Sequence, residues 1–172
     1  LLTVILAHND PVVEASDRAA CPGATFVQAD QLKADSLKGE KDVIVSGHGV
    51  PGTCSFGSAG QLGGADIAKR LNAAGFDKSQ PGAQIAMSAC NSATPGVSTP
   101  SVAQAVADGT GVKTFGAKAN DTAGAQNRTS PSGQTGNGAN DAIWVNNGTW
   151  VSTTPGAGDK NVTQHGNSTT DY

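Results

Sequence analysis

The chain has 172 residues, 23 of them Gly and 8 Pro, and its 11 basic and 14 acidic side chains leave a net charge of −3. Leu, Ile, Val and Phe supply only 30 positions, a composition that means disorder when net charge is large and a globular domain with long polar loops when the apolar residues come in runs. No run approaches the ~20 apolar residues of a membrane-spanning helix, and no cluster of Lys and Arg favours nucleic acid as the main partner.

Residues 1–7 (LLTVILA) form a continuous apolar run of strand length, the pattern of a fully buried parallel strand. It lacks the basic flank and cleavage site of a signal peptide, and the start without Met reads as a module cut from a longer polypeptide. Asp10-Pro11 supplies an N-cap followed by Pro at the first helical position, which predicts a helix over 11–20 that stops at Pro22-Gly23. Strands follow at 24–30 and at 41–46, the latter carrying Val43, Ile44 and Val45 in succession. Residues 47–63 read as a Gly-rich loop. A helix over 64–75 places Ile67, Leu71 and Ala74 on one face and ends at Gly75. A strand at 83–89, a helix at 101–108 with Val102 and Val106 one turn apart, and a strand at 112–117 complete the alternation. Residues 120–141 contain nothing apolar larger than Ala and read as a long polar loop. Residues 142–151 read as a hairpin around Asn147-Gly148, with Trp144 and Trp150 as a cross-strand cluster. From Ser152 the chain reads as a loosely held polar tail in which His165 is inert.

Strands alternating with helices predict a three-layer α/β sandwich: a mainly parallel sheet, helices on both faces and a C-terminal antiparallel hairpin. One domain is expected over 1–151, followed by a tail over 152–172. Such sheets bind ligands at the carboxyl ends of their strands. The third predicted strand ends in Ser46-Gly47-His48-Gly49, and the fourth in Ser88-Ala89-Cys90-Asn91-Ser92. If these strands are neighbours, His48 and Cys90 leave the same edge of the sheet. A thiol with an ordinary pKa of about 8.5 is mostly protonated at neutral pH, and an adjacent imidazole can take its proton or stabilise the thiolate. The N–H groups of Gly49 and Cys90 would then serve as an oxyanion hole. A lone Cys is more often a small core hydrophobe and a lone His a satisfied core or surface residue. Their joint placement at the ends of consecutive strands favours a site.

Residues 43–49 (VIVSGHG) and 85–91 (IAMSACN) resemble the His-Gly and Ala-Cys motifs of the clan CD, or caspase-like, cysteine peptidases. The group with CHAT domains and RTX-toxin cysteine protease domains is most similar. There too a Leu-Gly-Gly-like stretch and a helix, here 62–75, separate the motifs, and a helix and strand, here 101–117, follow the Cys. The resemblance covers about 41–119. It implies a caspase-like fold, His48 as base, Cys90 as nucleophile, Gly49 in the oxyanion hole, a dyad that needs no third residue, a protein or peptide substrate, no cofactor, and autoprocessing as in the toxins. Two family features depart. The toxin domains are switched on by inositol hexakisphosphate in a basic pocket, whereas 8 Lys and 3 Arg are spread along this chain, so that activator is not expected. Caspase selectivity for Asp rests on an Arg after the first strand and a Gln two residues before the Cys; here those places hold His8-Asn9-Asp10 and Ser88.

His8, Asp10 and Ser88 are secondary candidates for substrate contact. Asp10 is either an acidic pocket for Arg or Lys or an N-cap, and its Asp-Pro context favours the cap. Cys54 reads as an exposed loop thiol or a redox partner for Cys90, and Cys21 as a packing residue. His8, His48, Cys54 and Cys90 are metal-ligand types without metal-site spacing, so no metal is expected. The Asn-x-Thr triplets at Asn127, Asn147, Asn161 and Asn167 are what an Asn- and Thr-rich chain produces by chance. The abundance of Gly, Ser, Thr and Asn suits a secreted or delivered bacterial effector or toxin module; the sequence sets no oligomeric state. A catalytically silent caspase-like binding module and a small-molecule α/β hydrolase are the alternatives.

Overall fold

A computed structural model describes residues 2–118, 121–123, 143–145 and 150–165. In chain order the elements are β1 (Leu2–Leu6), α1 (Pro11–Ala20), β2 (Thr25–Gln28), a 3-10 turn (Ala29–Gln31), β3 (Asp42–Ser46), β4 (Gly49–Val50), β5 (Thr53–Ser55), β6 (Gln61–Gly63), α2 (Gly64–Ala73), β7 (Gln84–Ser88), α3 (Val102–Thr110), β8 (Lys113–Ala117), β9 (Asp121–Ala123), β10 (Ile143–Val145), β11 (Trp150–Thr153) and β12 (Thr163–Gln164). The main sheet has the order β12-β11-β8-β7-β3-β1-β2. Its five strands β2, β1, β3, β7 and β8 pair in parallel, while β11 adds to β8 and β12 to β11 antiparallel.

The period-2 alternation of the strands divides the core into two. Ile5, Ala7, Val43, Val45, Ile85 and Met87 pack on one face with Ile67 and Leu71 of α2 and Val102 and Val106 of α3. Val4, Leu6, Ile44, Ala86, Phe115 and Trp150 pack on the other, together with Ala20 at the end of α1. The result is three layers, with one helix on one face of the sheet and two on the other. Each large aliphatic side chain taken fully out of water contributes about 1.5–3 kcal/mol, and their concentration in these two clusters is why so few suffice. Asp10 accepts hydrogen bonds from the N–H groups of Val12 and Val13, with Pro11 at the first helical position, so α1 starts where its sequence predicts. Among the described residues no helix is long and apolar enough to cross a membrane.

Four expectations change. The supposed Gly-rich loop at 47–63 contains a second sheet, with β4-β5-β6 antiparallel. The two arms of the expected hairpin pair elsewhere: β10 with β9, and β11 with β8. Trp150 stacks on Phe115, with ring centroids 6.0 Å apart and planes at 19°; the expected cluster with Trp144 involves a side chain that is not among those described. Asn147 and Gly148, and most of the expected loop at 120–141, lie outside the described residues. The chain after Ser152 is packed as far as residue 165. Ser152 and Thr153 are buried in β11, Thr153 donates to the side chain of Gln104, and Asp159 accepts from both the N–H and the hydroxyl of Ser101. His165 is engaged as well: its Nε2 lies 2.8 Å from Ser152 Oγ, and its backbone N–H donates to Trp150.

Candidate functional site

β3 and β7 are hydrogen-bonded neighbours whose last registered pair is Ser46 with Ser88. The pairing runs one step further, because the Gly47 N–H donates to the Ser88 carbonyl at 3.0 Å. His48 and Cys90 are the next residues on each chain, so one end of the sheet carries both. Gly49 then passes directly over the Cys90 backbone: a Cβ on Gly49 would lie 2.4 Å from the Cys90 carbonyl oxygen and 3.0 Å from Ala89 Cβ. Only Gly permits that approach. The His48 side chain is 59 % exposed, whereas Cys90 is half-buried.

The turn after Cys90 is held from below. Asn91 takes a left-handed conformation, φ +56°, which Asn tolerates better than most residues. Ser92 is fully buried; its hydroxyl donates to the Met87 carbonyl at 2.8 Å and accepts from the Ala117 N–H at 2.9 Å. The backbone of Ser92 also closes back on Ala89 and accepts from Ala103, the second residue of α3. Cys90 thus sits on a turn fastened to β7, β8 and α3.

On the other side of His48 stands the end of β1. Asp10 Oδ2 lies 3.5 Å from His48 Nε2, and the two side chains are 37 % and 59 % exposed. The N–H of Val13 chiefly, then that of Val12 and the two nearby imidazoles, hold the Asp10 carboxyl below its ordinary value, partial desolvation acting the other way. His8 is buried behind this pair, its ring centroid 5.9 Å from that of His48 in an edge-on arrangement. Its Nδ1 accepts the Asp10 N–H at 3.1 Å, which leaves the ring proton on Nε2, facing Asp17 Oδ2 at 3.2 Å. Ser46 donates to the same Asp17 oxygen at 2.7 Å. Asp17, from α1, therefore fixes both the end of β3 and the ring of His8.

The sign of the Asp10 effect gives a pH prediction. A carboxyl whose folded pKa is lowered adds stability that is present above its unfolded pKa and is lost as pH falls through the lower folded value. In urea unfolding followed against pH, the wild type should therefore lose stability relative to Asp10→Asn only in the acid range. A difference between them that stays constant down to the lowest pH would show that the Asp10 charge contributes nothing.

An open cavity of about 390 Å³ lies beside His48, on the β1–β2 side. His8, Gln28, Asp30, Ser58 and Gln61 contribute to its wall. Asp10 does not; with His8 and Glu14 it lines a smaller neighbouring recess of about 90 Å³. Two residues proposed from sequence for substrate contact or exposure belong elsewhere. Ser88 is 3 % exposed within β7 and is part of neither cavity wall. Cys54 is not an exposed loop thiol: it is completely buried in β5, paired with Gly49 of β4, and its Sγ packs against Gly47. Cys21 caps the C-terminus of α1 and is buried, as its position suggested.

The sequence reading missed the Asp10–His48 contact and the whole of Asp17 and Asp30. The strand order held the signal for the first: with β1 beside β3, residues just past the two strands must meet. No protein-family model matches the chain, and neither does any curated protein.

Proposed function

We propose that the chain is a cysteine endopeptidase of the clan CD type, with His48 and Cys90 as its catalytic pair. The observation that carries this reading is the continued β3–β7 register, which sets His48 and Cys90 at equivalent places beyond neighbouring strands, with Gly49 against the Cys90 backbone. With Nε2 of His48 turned to Asp10, Nδ1 is the nitrogen that exchanges a proton with the thiol. His48 takes the Cys90 proton, and the thiolate attacks the carbonyl carbon of the scissile peptide bond. The carbonyl π electrons move to oxygen, where the N–H groups of Gly49 and Cys90 meet the charge. The tetrahedral intermediate collapses as the C–N bond breaks, and the imidazolium gives its proton to the leaving amine. Water then attacks the thioester carbon, His48 accepts its proton, and the C–S bond breaks to release the acid and restore the thiol. Asp10 places a carboxylate beside the ring while it carries positive charge.

A peptide-library cleavage profile of the wild type against Cys90→Ala tests the reading. Cleavage at defined positions by the wild type and none by the variant is expected. Equal profiles, or no cleavage by the wild type together with a Cys90 that iodoacetamide alkylates no faster than a small-molecule thiol, would overturn it.

A further inference from the structure

We propose that the cavity beside His48 is the specificity pocket of this peptidase, that it takes a Lys or Arg side chain, and that Asp30 is the anchor for its positive charge. This rests on the cysteine peptidase reading above and adds the substrate class.

Asp30 lies in the 3-10 turn after β2 and reaches the cavity wall. Its carboxylate is held in place through one oxygen: Oδ1 accepts both the N–H and the hydroxyl of Ser58, each at 2.9 Å. These bonds, the backbone one first, keep the carboxyl below its ordinary value, so it is ionised at neutral pH. Gly57 makes the arrangement possible. Its φ is +59°, and a Cβ there would lie 2.4 Å from Asp30 Oδ1. The sequence Gly57-Ser58 is thus a cradle fitted to this carboxylate. Gly57 is in turn tied to the end of the first strand, its N–H donating to the Ala7 carbonyl at 3.0 Å.

Among the described residues no cation forms an ion pair with Asp30. Arg70 acts on it at longer range and, with Lys33, lines a second recess of about 370 Å³ that shares Asp30 and Ser58 with this cavity; neither cation lines the cavity itself. Inside, His8 is engaged at both ring nitrogens, its Nδ1 accepting the Asp10 N–H and its Nε2 facing Asp17, and His48 is turned to Asp10. The remaining polar wall includes Asn9, Gln28, whose Nε2 donates to Glu14, and Gln61, whose Oε1 accepts from Thr53; each amide oxygen has two lone pairs, so it can accept a further N–H bond. A fixed negative charge, acceptor groups and about 390 Å³ of space match a long cationic side chain, and the volume falls in the ordinary range of ligand pockets. An acidic substrate residue would meet the Asp30 charge, and an aliphatic one would strip water from the carboxylate without replacing it.

The test uses peptidyl chloromethyl ketones that differ only in the residue next to the reactive group: Lys, Arg, Leu or Asp. The rate of Cys90 alkylation is read by intact-protein mass spectrometry. The Lys and Arg probes are expected to label Cys90 about tenfold faster than the Leu probe, the size of effect that one charge-assisted hydrogen bond supports. Asp30→Asn should remove that advantage while the Leu rate holds or rises, since its side chain no longer dehydrates a carboxylate, and labelling by the Leu probe also reports that the variant is folded. Equal rates for the Lys and Leu probes in the wild type, or an Asp30→Asn variant that slows every probe alike, would overturn the pocket assignment and leave the catalytic pair standing. Failure of every probe to label Cys90 would overturn both.

Discussion

Replacing His48 with Ala is expected to lower peptide cleavage by about 10²–10⁴-fold, the contribution of a positioned general base. Stability should change little. The imidazole is 59 % exposed, and Asp10, its close ion-pair partner among the described residues, keeps its helix-capping bonds without it. Activity on a peptide chosen from the library profile, measured beside urea unfolding, separates the two effects. The alkylation rate of Cys90 should fall in parallel, because in the proposed mechanism the same ring governs the thiolate. A variant that cleaves at the wild-type rate would remove His48 from the mechanism. A variant that fails to fold would instead mark His48 as structural, contrary to its exposure.

Much of the fold was legible because the apolar residues are few and placed in register. The runs at β1 and β3 have no face left for water, so both read as central strands, and they are central. Asp10-Pro11 marks a helix start through the local needs of the first turn, and no distant contact is required to place it. The second sheet was illegible for the opposite reason. Of β4, β5 and β6, only Cys54 in the middle strand is buried, and Phe56 beyond it packs with the core near α2; Gly, Ser and Thr make up most of the rest. Asn147-Gly148 is a strong local hairpin signal, but Val151 and Trp150 gain more by joining β8 beside Phe115, and the tertiary partner decides. The polar chain after Ser152 folds by hydrogen bonds to residues about 50 positions away, Asp159 to Ser101 and Thr153 to Gln104. Composition does not announce bonds of that kind.

The candidate site divides in the same way. His48 and Cys90 stood out because each follows an apolar strand and is flanked by small residues. The surrounding carboxylates did not, since each has a sufficient local explanation. Asp10 caps a helix, and the cap accounts for its presence without His48. Asp17 is a polar residue inside an amphipathic helix, and only the folded chain shows it facing His8 and Ser46. Asp30 ends a strand and finds Ser58 across 28 residues of sequence. The proposed dyad, read from two strand ends, is therefore set among acidic groups that arrive from the N-cap of α1, from α1 itself and from the turn after β2.

Ser92→Ala is expected to cost about 2–4 kcal/mol of unfolding free energy, because two buried main-chain groups lose their partner at once. The Ser92 hydroxyl is the only bridge of its kind beneath Cys90 among the described residues, donating to Met87 on β7 and accepting from Ala117 on β8. Both of those residues are fully buried, so water cannot replace the lost bonds without opening the sheet. Space around the hydroxyl is equally constrained. A Cβ on Gly116 would come within 3.0 Å of Ser92 Oγ and of Ala103 Cβ, so Gly116 is small in order that Ser92 can reach β8. Ser92→Thr keeps the hydroxyl but must fit a methyl group beside Gly116 and Ala93, and overpacking costs about 1–3 kcal/mol; Ser92→Ala should be the more damaging in urea unfolding if the hydrogen bonds dominate. The reverse order would mean that packing, not the two bonds, holds the turn. Alkylation of Cys90 links this to function: with the Ser92 fastening gone, the left-handed Asn91 is free to relax, and Cys90 should lose its rate advantage over an ordinary thiol even where Ser92→Ala remains folded.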